Sequence, residues 1–379
     1  MFLAREKTTV EQLLPGLSAA LQAKTLMQLE ADDGRLLLNY LRQYANPGLL
    51  VSAPLGGMAA DLVSAVRIHR YVGSLCPSLA VMMTMHNHTT YCLSKAMDNS
   101  LAGKDLLLSN VARDRLVFCS GFAEARPGAN ILSSSVTCEQ RNDGFVINGS
   151  KKPCTMVDLA DVALVGIANP NSSEPTARGL LLVDNMRADN ISKRPFWPAT
   201  ILTATSSNEL VFNDYHASAE HVVLMEAGEN PEQARQAIES TELCGLSCFQ
   251  LLIAASYLGV ASRLAALCFT GAPANATDLS QIANELESAA LALEGAAALV
   301  DAQAPSEELV ALSVSVRTMV AQAIDRANRL ALISLGGMKY LAKEDIRYLL
   351  QVSQCLNFHP LSRNESVDLV QQVLCQVSD

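Results

Sequence analysis

CSGFAEARPGANILSSSVTCEQRNDGFVINGSKKPCT, from Cys119 to Thr155, is the stretch on which the reading of this chain turns. It starts as an apolar run, passes through a loop of small residues around Gly128 and Ser133, and returns as two period-two segments joined at Asn142-Asp143-Gly144. Asp-Gly supplies positive φ at little steric cost, so the join is expected to be a hairpin turn. The stretch therefore predicts strand, loop and hairpin in succession.

Outward from it, segments at 116–122, 135–140, 144–148, 161–168, 179–184 and 209–214 share the short period and are separated by Asn, Asp, Gly and Pro. They predict an antiparallel β-domain over residues 116–235. Before it, Leu13, Leu17, Leu21, Leu26, Leu29, Leu36, Leu37, Tyr40 and Leu41 keep helical spacing up to Asn46-Pro47-Gly48. Apolar faces at 59–71 and 78–97 then predict two helices broken at Cys76-Pro77. After Glu239 the helical period returns, with Ala/Leu-rich runs at 240–267, 278–302 and 306–335. The last starts at Pro305-Ser306-Glu307-Glu308 and stops at Gly336-Gly337, and shorter helices follow at 344–354 and from 364. The expected class is α+β: an N-terminal helical domain (1–115), the β-domain (116–235) and a C-terminal four-helix bundle (236–379).

Composition narrows the function. The 379 residues are 50% hydrophobic, and 38 acidic against 28 basic residues give a net charge of −10, which argues against nucleic acid as a partner. The N-terminus, MFLAREKTTVEQLLPGL, has no apolar run before a cleavage site. No window is read as reaching the roughly 18 uncharged apolar residues of a spanning helix. A cytoplasmic protein with no membrane partner is expected. The ten cysteines are scattered singly, without metal-ligand or disulfide-framework spacing, so reduced core thiols and no metal are expected.

Five short elements stand in a fixed order: Ala53-Pro54-Leu55-Gly56-Gly57, the run through Met85-His86-Asn87, Phe122-Ala123-Glu124 through Gly128-Ala129-Asn130, Asn148-Gly149-Ser150-Lys151-Lys152-Pro153-Cys154-Thr155, and Leu335-Gly336-Gly337-Met338-Lys339-Tyr340. With the helix, strand, helix order, this series resembles the acyl-CoA dehydrogenase flavoprotein superfamily over nearly the whole chain. The resemblance implies FAD, with FMN as the alternative, contacted by Phe122, Ala123, Gly128, Ala129, Cys154, Thr155, Gly336, Gly337 and Ser362. It also implies an acyl thioester substrate on CoA or on a carrier protein, an electron-transfer or flavin-reductase partner, and a homodimer or homotetramer.

The sequence departs from the family where the chemistry sits. The position of the family's catalytic glutamate falls on Pro360, which removes the base and also a backbone N–H donor to the thioester, a loss worth about 3 kcal/mol of transition-state stabilisation. The alternative base position falls on Phe249. Ser247 and Gln250 stand where the family's charged CoA contacts stand and are the candidate substrate residues. Cys268-Phe269-Thr270-Gly271 lacks the family's arginine, Ala123 and Ala129 replace hydroxyl residues, and Pro153 replaces a ring-stacking tryptophan.

Three functions stay open: thioester oxidation with His359 as a new base, oxygenation with reduced flavin using His359 with His86 or His88, or a homologue without activity. The first, with His359 and His86 as catalytic candidates, is the working expectation, since histidine titrates near neutral pH. His359 has an alternative role as a helix cap. His86 and His88 are two residues apart, so at most one faces a pocket. His69, among Arg67, Arg70 and Tyr71, is expected to be solvated. Glu365 is either a displaced carboxylate or compensation of a helix dipole.

Overall fold

Helices with few charges on any face must be covered on several sides, and this chain covers them with one another and with a sheet. The computed structural model describes residues 2–31, 33–96, 101–126, 131–141, 144–170, 178–225, 230–270 and 275–375. Short helices α1 (Ala4–Leu13), α2 (Leu17–Gln22), α3 (Leu26–Glu30) and α4 (Arg35–Tyr40) lead into α5 (Leu62–Leu75), α6 (Pro77–Lys95) and α7 (Lys104–Asp114). Pro77 sits in the first turn of α6, where its missing N–H costs nothing, while the Cys76 N–H closes α5 on Val72. The sequence reading found the break but not α7.

Strands β1 (Phe118–Gly121), β2 (Thr137–Arg141), β3 (Gly144–Cys154), β4 (Val162–Ala168), β5 (Arg178–Val183), β6 (Ile191–Arg194), β7 (Asn208–Ser218) and β8 (Val222–Leu224) form one sheet of order β6-β7-β3-β2-β4-β5-β8, with β1 beside β4. The pairing is mixed and not wholly antiparallel. The β2–β3 hairpin intervenes between β1 and β4, so the chain re-enters alongside β1 in the same direction, and β2 meets β4 in parallel as well. Asn142 and Asp143 of the expected turn lie outside the described residues. β6 and β8 are too short for a period to be read.

The C-terminal helices α8 (Pro231–Phe269), α9 (Ala276–Ala302) and α10 (Glu307–Leu335) run the length of the bundle. α11 (Gly337–Ala342), α12 (Glu344–Ser353) and α13 (Arg363–Val373) follow, and α12 and α13 pack on α8 and α10 in place of a fourth long helix. One apolar cluster runs from Val10 to Leu356, so helices and sheet share a core. α8 corrects the expectation about membrane spans. An 18-residue window in it has mean hydropathy 1.8 and passes by length and composition, but 89% of that window is buried inside the fold. It is the inner helix of the bundle.

Close backbone approach fixes where α8 lies. A Cβ on Gly73 would stand 2.1 Å from the Ser256 carbonyl oxygen, and one on Gly259 would stand 2.1 Å from that of Arg70. Only glycine permits this crossing of α5 on α8. Beside it Arg70 is buried and paired with Glu6 at 2.7 Å and Glu287 at 2.6 Å. His69 is fully buried too, contrary to the expected solvated position, because α1, α6, α8 and α9 cover every face of α5. Its Nδ1 lies 3.1 Å from both Ser256 Oγ and Thr84 Oγ1, and Asn87 Nδ2 lies 3.0 Å from its Nε2.

Candidate active site

With α8 held in this way, one face of it and one face of α6 turn toward the sheet and enclose a cavity of about 980 Å³. α6 contributes Val81, Met85, His88 and Cys92, at the four-three-four spacing of a single helical stripe. α8 contributes Glu242, Gly245, Leu246, Phe249 and Tyr257. The sheet side supplies Phe122, Ala123 and Thr155, and the segment leading into α13 supplies His359, Pro360 and Ser362.

The sheet side is held by a buried ion pair. Glu124 accepts from Lys151 Nζ at 2.7 Å and from the Ser135 N–H at 2.7 Å, and Arg126 also pairs with it. Burial works to raise this carboxyl, but the hydrogen bonds from Lys151, Arg126 and Ser135 outweigh it and hold the pKa down at about 2. The Lys152 N–H donates to the Ala123 carbonyl at 2.8 Å, so the chain after β1 is laced to β3. Thr155 follows the end of β3, its hydroxyl 3.0 Å from Ser207 Oγ.

The helical side is built from rings. Phe249 meets His88 edge-on at a centroid distance of 5.5 Å and His359 at 6.0 Å, so it separates two imidazoles. Tyr257 Oη lies 2.9 Å from His359 Nε2. His88 is 7% exposed, and among the described residues neither ring nitrogen has a partner. Such groups are rare in buried positions and call for a reason. Burial pushes both histidines down to about 3, helped at His359 by the charge of Arg317 and at His88 by His86, so both are neutral imidazoles with one donor and one acceptor each. Glu242 lies on the same α8 face, accepting from Arg178 Nε at 2.9 Å. Burial raises it to about 7, a shift that Arg178 only partly offsets.

Of the candidate flavin-contacting and catalytic residues named from sequence, Phe122, Ala123, Thr155, His359 and Ser362 line the cavity. Ser362 is also the N-cap of α13, in a capping box with Glu365, so the capping role considered for His359 is filled by its neighbour. Glu365 spends Oε2 on the Ser362 N–H at 2.8 Å, and its buried Oε1 has no partner among the described residues. Gly128 and Ala129 lie outside the described residues. Cys154 is fully buried against Cys119 and does not line the cavity.

Five further residues named from sequence do not line this cavity. His86 is built into the fold: Nε2 donates to the Pro47 carbonyl at 2.7 Å, and Nδ1 accepts the Phe118 N–H at 3.0 Å. Ser247 and Gln250 are buried on α8 but off the cavity face, because about 100° of helical rotation per residue carries them past it. Gln250 instead donates to the Pro360 carbonyl at 3.1 Å. Gly336 and Gly337 lie at the end of α10, away from the cavity. Glu242, Phe249 as a ring spacer, and Tyr257 were missed. Glu242 carried a signal, as the last charge before the uncharged stretch 243–262.

These residues fit a flavin. Small side chains at Ala123, Ala125 and Ser133 leave backbone accessible, Thr155 offers a hydroxyl, and the orphaned His88 faces the same volume. Among the described residues no cluster of His, Cys, Asp and Glu is arranged to hold a metal ion.

No family model matches the chain. It is 33% identical over 365 residues to isobutylamine N-hydroxylase of Streptomyces viridifaciens, covering 95% of this chain and 94% of that protein. Among solved structures it superposes on XiaF from Streptomyces sp., in complex with FADH2 and glycerol, with a TM-score of 0.78 and 15% identity over 98% of this chain and 96% of that one. Butyryl-CoA dehydrogenase from Megasphaera elsdenii gives a TM-score of 0.82 at 14% identity, over 98% of both chains.

Proposed function

The chain belongs to the acyl-CoA dehydrogenase flavoprotein superfamily, and from that premise we propose that it is a reduced-flavin-dependent monooxygenase that N-hydroxylates a small aliphatic amine. The observation that carries this reading is His88, whose buried imidazole faces the cavity with both nitrogens unpartnered, across Phe249 from His359. A neutral imidazole there receives an amine N–H or donates to an oxygen without bringing a charge into an apolar wall.

Ala123, Ser133 and Thr155 would hold the flavin, FAD or FMN, and when bound and reduced it supplies the two electrons that activate dioxygen. The net change is amine, dioxygen and reduced flavin to hydroxylamine, water and oxidised flavin. Tyr257 fixes the His359 ring, the two imidazoles accept and return protons at the reacting nitrogen and oxygen, and Val81, Met85, Leu246 and Phe249 exclude water. A separate reductase is the partner this chemistry needs. Gly336 and Gly337 adjoin exposed Ile333, Met338 and Leu341, a corner that a homodimer or homotetramer would cover.

Glu365 favours a second reading, in which its unpartnered Oε1 takes an α-proton from an acyl thioester, on CoA or on a carrier protein. One experiment separates the two. The protein, chemically reduced FAD, isobutylamine and isotope-labelled dioxygen should yield labelled hydroxylamine. Absence of label, together with anaerobic bleaching of the oxidised flavin by an acyl thioester, would replace the first reading with the second.

A further inference from the structure

His359 lies on a segment with no regular structure of its own, between the short turn Gln354–Phe358 and α13. Three consecutive carbonyls of that segment face one guanidinium. Arg317, on α10, donates from Nη1 to the His359 oxygen at 3.0 Å and the Pro360 oxygen at 2.8 Å, and from Nη2 to the Leu361 oxygen at 2.7 Å and Ser366 Oγ at 3.3 Å. Gln250 adds its bond to the Pro360 oxygen from α8. Arg317 is 7% exposed, and among the described residues no carboxylate pairs with it. Burying a cation without a counter-charge is expensive, and an apolar side chain of similar volume would fill the space more cheaply. Stability alone does not account for it.

We propose that Arg317, assisted by Gln250, is the positioning residue that sets where His359 stands and how it points into the cavity. The fork fixes the peptide planes of residues 359–361 from α10, and Tyr257 fixes the ring from α8, so two helices locate one imidazole in a segment that would otherwise wander. Lysine cannot substitute, because its single ammonium lacks the planar fork. The inference rests on the reading that His359 acts on the substrate.

The test uses the full chain with bound FAD and the variants Arg317→Lys and Gln250→Leu. The His359 imidazole resonance, assigned by its loss in His359→Ala, is followed by NMR, with the His88 resonance as internal reference. In Arg317→Lys the His359 signal should shift and broaden while that of His88 stays. Turnover of isobutylamine with reduced FAD should fall in kcat by about 30-fold, with KM changed by less than about threefold, as expected for a displaced but intact group. Gln250→Leu should move the same resonance and lower kcat by about threefold. If Arg317→Lys does not fold, Gln250→Leu decides. A His359 resonance that does not move in the folded variants overturns the proposal. If the unaltered protein does not oxidise the amine, the functional reading fails, while the resonance still decides whether Arg317 positions His359.

Discussion

α6 borders two layers of histidine, buried at His69 and His88 and half-buried at His359, that differ in one respect. Toward α5, His69 spends both ring nitrogens on Ser256, Thr84 and Asn87. Toward the cavity, His88 spends neither, and His359 spends one, on Tyr257. Burial depresses all three alike, to about 3. The depressed pKa therefore does not tell the two layers apart; hydrogen-bond satisfaction does. A satisfied buried imidazole stabilises the fold, whereas an unsatisfied one lining a cavity is open to a ligand, the role proposed for His88.

The sharpest way to break this contrast is at His359. Replacing it with alanine should lower kcat for amine oxygenation by about 10² to 10⁴-fold, the range for loss of one proton-transfer group, with FAD uptake retained. Steady-state rates with reduced FAD check the first part and equilibrium dialysis the second. A variant that keeps its turnover would put the chemistry elsewhere in the cavity.

The next test exchanges the two layers. His69→Leu should destabilise the protein by about 2–4 kcal/mol, because three polar partners lose their acceptor or donor in a closed interior. His88→Leu should be neutral or stabilising by about 1 kcal/mol, since it removes an orphan, yet should abolish turnover. Urea midpoints and rates on the same samples give both numbers. Equal losses of stability would erase the distinction between the layers.

pH sharpens it further, with a definite sign. The His69 pKa falls from 6.5 to about 3 on folding, so the unfolded chain binds the proton more readily. Stability is fully present above pH 6.5 and is lost as pH falls from there toward 3, about 2 kcal/mol of it by pH 5. His69→Leu lacks this dependence. The stability gap between wild type and His69→Leu should therefore narrow by about that amount between pH 8 and pH 5, as read from urea melts. A gap that widens on acidification would reverse the assignment of a neutral buried ring.

These contrasts show what the sequence could and could not carry. Strand and helix succession was legible because the period switches near residue 116 and again near 239. Register on α6 and α8 was not. All of Met82, Met83, Thr84, His86, Asn87 and His88 are buried, so α6 has no polar face from which to phase its stripe. Residue spacing allows at most one of His86 and His88 to face a pocket, but nothing in the sequence says that His86 is the one held by Pro47 and Phe118. α8 has the same difficulty over 39 residues, which is how Ser247 and Gln250 were placed on the substrate side. A lone cation in an apolar run, Arg317 between Leu309 and Ile324, was a visible signal for the segment it holds, but nothing local says which carbonyls it meets.

The smallest expected effect lies between the two imidazoles' supports, at Gly245. A Cβ there would meet Cys92 Sγ at 3.5 Å and His88 Nδ1 at 4.0 Å, which is ordinary contact and not a clash. Glycine inside a helix costs about 0.5–1 kcal/mol relative to alanine, so Gly245→Ala should raise stability by up to that amount and Tm by about 2 °C. The added methyl also occupies the cavity wall beside His88. If a branched amine sits against that wall, KM for isobutylamine should rise by about threefold while the KM for an unbranched amine of equal length stays, because one methyl's worth of lost space is felt by the branch alone. Stability that rises with both KM values unchanged would show that the substrate does not touch this wall, and would move it toward His359 and away from His88.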